Sequence, residues 1–248
     1  MKIIKYGIIA GLCLAGWACA ASGDGGSNAP AARTNNNTLV SIGKEVKMKE
    51  HQSGTWTPGL SDAEKKTLFA IARDTLAWCV NRTASGARGI FPMESYQLTP
   101  KLKVKTATFV TLKIKGDLRG CIGSLAPVEA LYQSVYHNTI NAALEDPRFP
   151  PVQPAALPRI EIDVSLLSPI RDIASLDEFK PGQMGIILEK GMHRAVYLPE
   201  VAVEQGWSKE ETLSSLSRKA GLSPDAWKKD TKFKVFESVV LSLDEEEK

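Results

Sequence analysis

The chain has 248 residues, of which 43% are hydrophobic and 24% are charged, the proportions of a soluble globular protein. Its formal net charge at pH 7 is only +3. A nucleic-acid-binding domain normally carries a basic patch or stripe, so this nearly neutral balance gives no reason to expect a nucleic-acid partner.

The first 20 residues have the pattern of an export signal. Lys2 and Lys5 precede an apolar run over residues 6–17, and Ala18-Cys19-Ala20 supplies small residues for a signal peptidase. The apolar run is too short for a comfortable transmembrane helix. We therefore predict a signal peptide at residues 1–20 and an exported protein, periplasmic or extracellular. The alternative is a lipoprotein anchored to the membrane through a lipid on Cys19, although Gly16 stands where lipoproteins carry a large apolar residue.

The residues that follow the predicted signal are small and polar. Ser, Gly, Ala, Pro and Asn dominate residues 21–37, so a flexible linker is predicted over residues 21–58. Its second half is ambiguous, because scattered apolar residues and Trp56 could add one edge strand. The folded domain is predicted to span residues 59–243, followed by a charged tail at residues 244–248.

The first half of the predicted domain contains sequence signals for two helices and one strand. Ser61 and Glu64 form a capping box, and the helix that follows has an apolar face that includes Cys79. Lys101–Lys115 alternates between apolar residues and lysines, which predicts a strand with a solvated lysine face. A second helix is predicted from Pro127 to Leu144, with His137 on its polar side.

The second half is predicted to be rich in strands. Arg159–Leu167 alternates, and residues 185–198 have the pattern of a hairpin around Lys190-Gly191. A capping box at Ser208 opens a helix that ends at Gly221, and Phe233–Leu243 is predicted to be one final strand. Strands and hairpins clustered apart from helices indicate an α+β fold with a largely antiparallel sheet flanked by helices.

The sequence LRGCIGSL around Cys121 is the main candidate site. Arg119 is a permanent cation, and a thiol beside a cation and ahead of a helix N-terminus is a candidate thiolate nucleophile. Gly120 and Gly123 allow a tight turn or a close approach of another group. With Ser124, these residues are predicted to line a ligand-binding groove.

Other chemistry-bearing residues are separated from Cys121 in the sequence. A nucleophilic cysteine needs a base, and His193 is the candidate because it is the histidine in a predicted structured segment that could point inward. Asp146 and Arg148 could complete a polar pocket. The competing interpretation is structural: Cys121 is a buried thiol, and Arg119 pairs with Asp146 or another carboxylate to brace the sheet.

The spacing of cysteines and histidines indicates no metal site. The sequence has no CxxC pair and no HExxH, and its three histidines lack ligand spacing. The glycines around Cys121 are too few for a phosphate loop, so no cofactor is expected. In an exported protein Cys79 and Cys121 could form a disulfide, but a buried free Cys79 is the favoured interpretation.

Several longer runs of the chain resemble the AMMECR domain family, which includes the A component of the AmmeMemoRadiSam system. The runs are, in order, LRGCIGSL (Leu118–Leu125), EDPRFPPV (Glu145–Val152), IEIDVSLLSP (Ile160–Pro169), GQMGIIL (Gly182–Leu188), YLPEVAVEQGW (Tyr197–Trp207) and RKAGL (Arg218–Leu222). The resemblance implies an α+β fold with a larger and a smaller lobe and a groove near RGCIG. It names no reaction, although it implies an association with Memo-like and radical SAM proteins.

Two features of the chain depart from the family pattern. Met184 stands where relatives often carry the His of a G-x-H-G sequence, which removes a candidate proton-transfer group. The predicted export conflicts with cytoplasmic Memo-like and radical SAM partners.

Together these observations predict an exported AMMECR-domain protein whose groove binds a small anionic or peptide ligand. Thiol-dependent group transfer or hydrolysis by Cys121 is the candidate chemistry. The alternative is a non-catalytic binding or scaffold module for another envelope protein.

Overall fold

The computed structural model describes residues 48–243. The predicted signal peptide, the lipid anchor, the linker up to residue 47 and the charged tail lie outside the described residues. Within residues 48–243, none of the helices combines the length and hydropathy that are needed to span a bilayer.

The described residues form four α-helices and nine short strands. Its α-helices are α1 (Asp62–Ser85), α2 (Leu131–Leu144), α3 (Pro199–Gln205) and α4 (Lys209–Lys219). Its strands are β1 (Met48–Gln52), β2 (Thr108–Ile114), β3 (Asp117–Gly123), β4 (Ile160–Leu167), β5 (Arg171–Asp172), β6 (Gly185–Lys190), β7 (His193–Tyr197), β8 (Lys232–Phe236) and β9 (Ser238–Leu243).

The larger lobe is a five-stranded antiparallel sheet, in the order β1-β9-β4-β2-β3, with α1 and α2 on one face. β2 and β3 form a hairpin that turns at Lys115 and Gly116, both with positive φ, the conformation of a tight two-residue turn. Val110 and Leu112 of β2 are fully buried against the helices. The alternate residues of β2 therefore face away from α1 and α2.

The smaller lobe is a four-stranded antiparallel sheet in the order β5-β8-β6-β7. Its core includes side chains of α3 and α4, such as Val201, Leu213 and Leu216. Both predicted capping boxes are present: the Ser61 hydroxyl accepts from the backbone of Glu64, and the Ser208 hydroxyl from that of Glu211. The α+β prediction is confirmed.

Two connecting segments of the chain join the lobes. After β4, the chain passes through Ser168 to β5, and after β8 it passes through Glu237 to β9. The backbone N–H of Ser168 donates to the Glu237 carbonyl (2.9 Å), and the N–H of Glu237 donates to the Ser168 hydroxyl (2.8 Å). The single predicted strand Phe233–Leu243 is thus wrong, because the chain changes sheets at Glu237.

Two further boundaries differ from the prediction, and one ambiguous segment is a strand. β1 pairs with β9, so the edge strand that the sequence left open within the predicted linker is present at Met48–Gln52. α2 begins at Leu131 rather than at Pro127. The predicted strand Lys101–Lys115 is continuous only from Thr108, because a short 3₁₀ turn at Lys101–Lys103 precedes it.

Candidate functional site

Cys121 lies on the face of the larger sheet that points away from α1 and α2. Its neighbour across the β2–β3 pair is Thr111, and Thr111 is also opposite Asp163 of β4. Directly opposed residues point to the same face of a sheet. Cys121, Thr111 and Asp163 therefore form one row across three strands. Lys113, next along β2 on this face, forms an ion pair with Asp163 at 2.8 Å.

The Cys121 thiol is partly buried and does not have the environment of a thiolate. Burial raises its pKa, and this effect outweighs the Thr111 hydroxyl, which donates to the sulfur at 3.3 Å, and the positive charge of Arg148. Cys121 does not directly precede a helix N-terminus either, because β3 continues to Gly123 and α2 begins only at Leu131. The expectation of a lowered thiol pKa is wrong.

Asp146 and Arg148 hold the backbone on both sides of the Cys121 side chain. Asp146 is buried, and its carboxylate accepts from the Cys121 N–H at 2.8 Å and from the Arg148 side chain at 2.7 and 2.9 Å. Arg148 also donates to the Cys121 carbonyl at 3.1 Å. Burial acts to raise the pKa of Asp146, but these hydrogen bonds prevail and keep the pKa below its ordinary value.

Arg119 does not pair with Asp146. Its guanidinium donates to the Pro150 carbonyl at 2.6 Å and lies over the Phe149 ring, 5.9 Å from the ring centre. Arg148 lies over the same ring at 5.5 Å. The sequence EDPRFPPV therefore supplies both the carboxylate and the aromatic surface that position the two arginines.

The glycines of LRGCIGSL allow other parts of the same protein to pack closely against β3. A Cβ on Gly120 would lie 2.1 Å from the Ala142 carbonyl oxygen of α2, and one on Gly123 would lie 2.3 Å from the Phe109 ring. The predicted close approach is present: helix α2 approaches Gly120, and the Phe109 side chain approaches Gly123. Ser124 accepts from the Ala126 N–H at 3.1 Å within a local turn.

His193 is an exposed residue at the start of β7, and its Nδ1 contacts the Ala220 carbonyl at 2.8 Å. It is not among the residues that line the cleft at Cys121. The assignment of His193 as a base for Cys121 is therefore wrong. His137 is exposed, as predicted, and pairs with Glu129.

The smaller lobe covers Cys121 with residues that sequence reasoning missed. Lys219 of α4 donates to the Val196 carbonyl at 2.8 Å and lies over the Tyr197 ring. Burial, with a contribution from the charge of Arg148, lowers the pKa of Lys219 to about 8. Glu200 of α3 is partly buried, and burial raises its pKa to about 7. The available signal was that Glu200 and Lys219 lie within YLPEVAVEQGW and RKAGL.

The two lobes leave a narrow cleft above the thiol. Phe109, Cys121 and Arg148 form one side, and Tyr197, Val201 and Lys219 are among the residues of the other. The free volume is about 20 Å³, which is room for roughly one water molecule. Glu200 is near enough for its charge to raise the pKa of Cys121.

Cys79 and Cys121 are free thiols, so the disulfide alternative is wrong. Cys79 is buried within the α1 face of the larger core, as predicted. Among residues 48–243, no group of three or more His, Cys, Asp or Glu side chains is arranged to hold a metal ion.

Comparison with known proteins places this fold in a family. The family model AMMECR1 matches residues 69–241. The chain is 39% identical over 194 residues to Protein MK0488 of Methanopyrus kandleri, an alignment that covers 74% of this chain and 90% of the relative. It is 37% identical over 174 residues to a protein of Methanothermobacter thermautotrophicus, covering 68% and 88% of the two chains.

A solved structure is similar over the same region. The crystal structure of uncharacterised protein PH0010 from Pyrococcus horikoshii superposes with a TM-score of 0.64 at 31% sequence identity, and covers 74% of this chain and 93% of its own. The chain therefore belongs to the AMMECR1 family.

Proposed function

We propose that the cleft between the lobes binds a small anionic or peptide ligand and that Cys121 carries out thiol-dependent group transfer or hydrolysis on it. The observation that carries the proposal is that Cys121 and Lys219 line one cleft, with Glu200 near enough for its charge to act on the thiol. An acid with a raised pKa and a lysine with a lowered pKa beside a thiol are the kind of perturbed set that concentrates at functional sites.

In this proposal the thiol is activated during the reaction. Glu200, with a pKa of about 7, accepts the Cys121 proton while the sulfur forms a bond to an electrophilic carbonyl carbon of the ligand. Protonated Glu200 then returns the proton to the leaving group as its bond to that carbon breaks. Water or a second nucleophile cleaves the resulting thioester and restores the thiol.

The positive groups at the cleft favour a ligand with negative charge. Lys219 is largely protonated below pH 8, and Arg148 keeps its charge at all relevant pH values. Lys219 lines the cleft, and it is the group that we assign to the ligand's anionic part. A ligand must also widen the cleft, because the free volume is about 20 Å³.

That narrowness favours the second candidate, a non-catalytic binding module for another protein of the cell envelope. In this alternative, Cys121 is a packing residue, and the hydrogen bonds of Asp146 and Arg148 serve only to brace β3. The predicted export applies to both candidates.

Alkylation of the native protein separates the two candidates. Cys79 is 3% exposed in the core, so its modification reports global unfolding. The catalytic proposal predicts that iodoacetamide modifies Cys121 at least about tenfold faster than Cys79, as followed by peptide mass spectrometry. It also predicts that Lys219→Met slows the anionic reagent iodoacetate more than neutral iodoacetamide.

If Cys121 and Cys79 react at the same rate, only unfolding exposes Cys121, and the catalytic proposal fails. Lys209→Met, at the opposite end of α4, is the matched control, and we expect it to leave the ratio of the two reagents unchanged.

A further inference from the structure

A second cavity lies in the larger lobe, separate from the cleft at Cys121. It has a volume of about 540 Å³, which falls within the range of about 300–1,000 Å³ typical of sites for small molecules. Four connecting segments enclose it: the chain after β1, the chain before β2, the connection from β3 to α2, and the crossover after β4. No residue that lines this cavity also lines the cleft at Cys121.

The walls of this cavity are mostly apolar. Leu60, Leu131 and Leu167 are buried residues that form its inner surface, and Trp56 and Leu125 are partly buried residues that extend it. Contact with apolar walls of this kind favours an apolar body in the ligand.

The position of Trp56 is fixed by hydrogen bonds. Its backbone N–H donates to the Glu237 carboxylate at 2.5 Å, and its carbonyl accepts from the Gln52 side chain at 2.7 Å. The wall that Trp56 provides is therefore tied both to the edge strand β1 and to the crossover between the lobes.

Two hydroxyl groups of the cavity lining already have hydrogen-bond partners within the protein. The Ser168 hydroxyl accepts from the Glu237 N–H and donates to the Pro169 carbonyl at 3.2 Å. The Thr106 hydroxyl donates to the Val104 carbonyl at 3.3 Å. An apolar ligand would therefore leave these hydroxyl groups with their present partners.

The charged lining residues are both lysines. Lys101 and Lys105 are exposed and so lie at the mouth of the cavity, and the described lining includes no Asp or Glu. The Lys101 ammonium donates to the Gly59 carbonyl. The backbone of Lys105 is fixed by a bridge to Ala130. An anion at the mouth is favoured over a cation by charge complementarity, chiefly through Lys105, because the Glu64 carboxylate already lies near Lys101.

We propose that this cavity is a binding site for a small amphipathic anion, an apolar chain or ring that ends in a carboxylate. The apolar part occupies the space between Trp56 and the leucines, and the carboxylate lies between Lys101 and Lys105. This site does not depend on any chemistry at Cys121, so it stands or fails independently of the proposed function.

Calorimetric titration of the purified protein with decanoate tests the site. We expect saturable binding of one decanoate per chain below its micelle-forming concentration, and at least about tenfold weaker binding of decylammonium, which has the same chain length and the opposite charge. Equal binding of the two, or no saturable binding of decanoate, overturns the proposal. If residues 1–47 of the chain filled the cavity, decanoate would show no saturable binding, and the proposal would likewise be overturned.

Variants locate the binding. Val104 lines the cavity but is 58% exposed, so Val104→Trp fills the space with little disturbance of the core, and we expect it to weaken decanoate binding about tenfold or more. Lys105→Glu should weaken binding about three- to tenfold. Lys103→Glu is the matched control, an exposed lysine outside the lining, and should change the affinity less than about twofold.

Unchanged affinity in Val104→Trp places decanoate elsewhere and contradicts the assignment. If Val104→Trp fails to fold, the comparison of Lys105→Glu with Lys103→Glu still decides the question. Equal affinities in those two exposed-site variants also contradict the assignment.

Discussion

At Cys121, several influences act in opposite directions on the thiol proton. Burial favours the neutral thiol and has the largest effect, whereas the Thr111 hydroxyl and the Arg148 charge favour the thiolate. The carboxylates of Glu200 and Asp146 oppose the thiolate. The resting protein therefore holds a neutral thiol, and a base must remove its proton during any reaction.

The buried Asp146–Arg148 pair leads to a stability prediction. Asp146→Asn removes the negative charge that satisfies Arg148 and the Cys121 N–H, so we expect a loss of about 2–4 kcal/mol in the free energy of unfolding at pH 7. Urea titration of both proteins measures it. Asp225→Asn, which removes an exposed pair with Lys228, should leave the midpoint almost unchanged.

The pH dependence of this difference has a definite sign. Because the pKa of Asp146 is lowered in the folded protein, its stabilisation is present above the ordinary carboxyl pKa and is lost as the pH falls through the folded value. The gap between wild type and Asp146→Asn should therefore narrow in acid. A gap that widens in acid would contradict the assigned ion pair.

Residue roles were predictable where local sequence defines them. The sequence places Cys121 between glycines and Asp146 two residues before Arg148, and these residues do meet. Glu200 and Lys219 lie in two of the family-like runs, but their place near Cys121 was not predictable, because nothing local shows that α3 and α4 lie over the β3 face. His193 was misassigned for the same reason: its position in the hairpin depends on tertiary packing.

At the scale of elements, helix α2 packs against β3 through its own backbone at Gly120. A side chain there would meet the Ala142 carbonyl oxygen at 2.1 Å, and a backbone atom cannot move as a side-chain end can. This contact fixes the distance between α2 and the strand that carries Cys121.

Substitution of Gly120 tests this packing. Gly120→Ala should lower the free energy of unfolding by roughly 2–3 kcal/mol, because helix and strand must separate to admit the methyl group. Thermal and urea unfolding measure the loss. Gly89→Ala is the control, since a Cβ there meets nothing within 4 Å, and it should change stability by less than about 0.5 kcal/mol. Equal stability of the two variants would contradict the close contact.

Element boundaries followed the sequence where capping chemistry defines them. Both capping boxes start helices at the predicted residues because the two residues of each box are only three positions apart and define the helix start locally. The break between β8 and β9 was hidden, since apolar alternation continues through Val235, Val239 and Leu241 while the strand changes sheets. β1 was ambiguous because four of its five residues are exposed.

At the scale of the whole molecule, the described fold begins with an edge strand before the predicted domain start. β1 pairs with β9, and Ser53 exchanges hydrogen bonds with Ser238 at 2.9 and 2.8 Å. Trp56 then packs against the larger core. Residues 48–56 therefore belong to the domain, with β1 as one edge strand of the larger sheet.

Truncation tests this boundary. A chain that starts at Gly59 should melt about 5–10 °C below one that starts at Met48, because it loses the β1 pairing and the Trp56 contacts. Differential scanning calorimetry of the two proteins gives the comparison. Equal midpoints would mean that β1 adds no stability and that the domain starts at Gly59, as the sequence had suggested.

Cys121 is a neutral thiol, and the charge of the nearby Glu200 carboxylate helps to keep its pKa raised. The most direct test is the pH dependence of Cys121 alkylation by iodoacetamide in wild type and in Glu200→Gln. Wild type should titrate above the ordinary pKa of a cysteine, about 8.5, and Glu200→Gln should titrate lower, because it removes a nearby negative charge. A wild-type pKa well below that of a free cysteine, or a profile that Glu200→Gln leaves unchanged, would contradict the account.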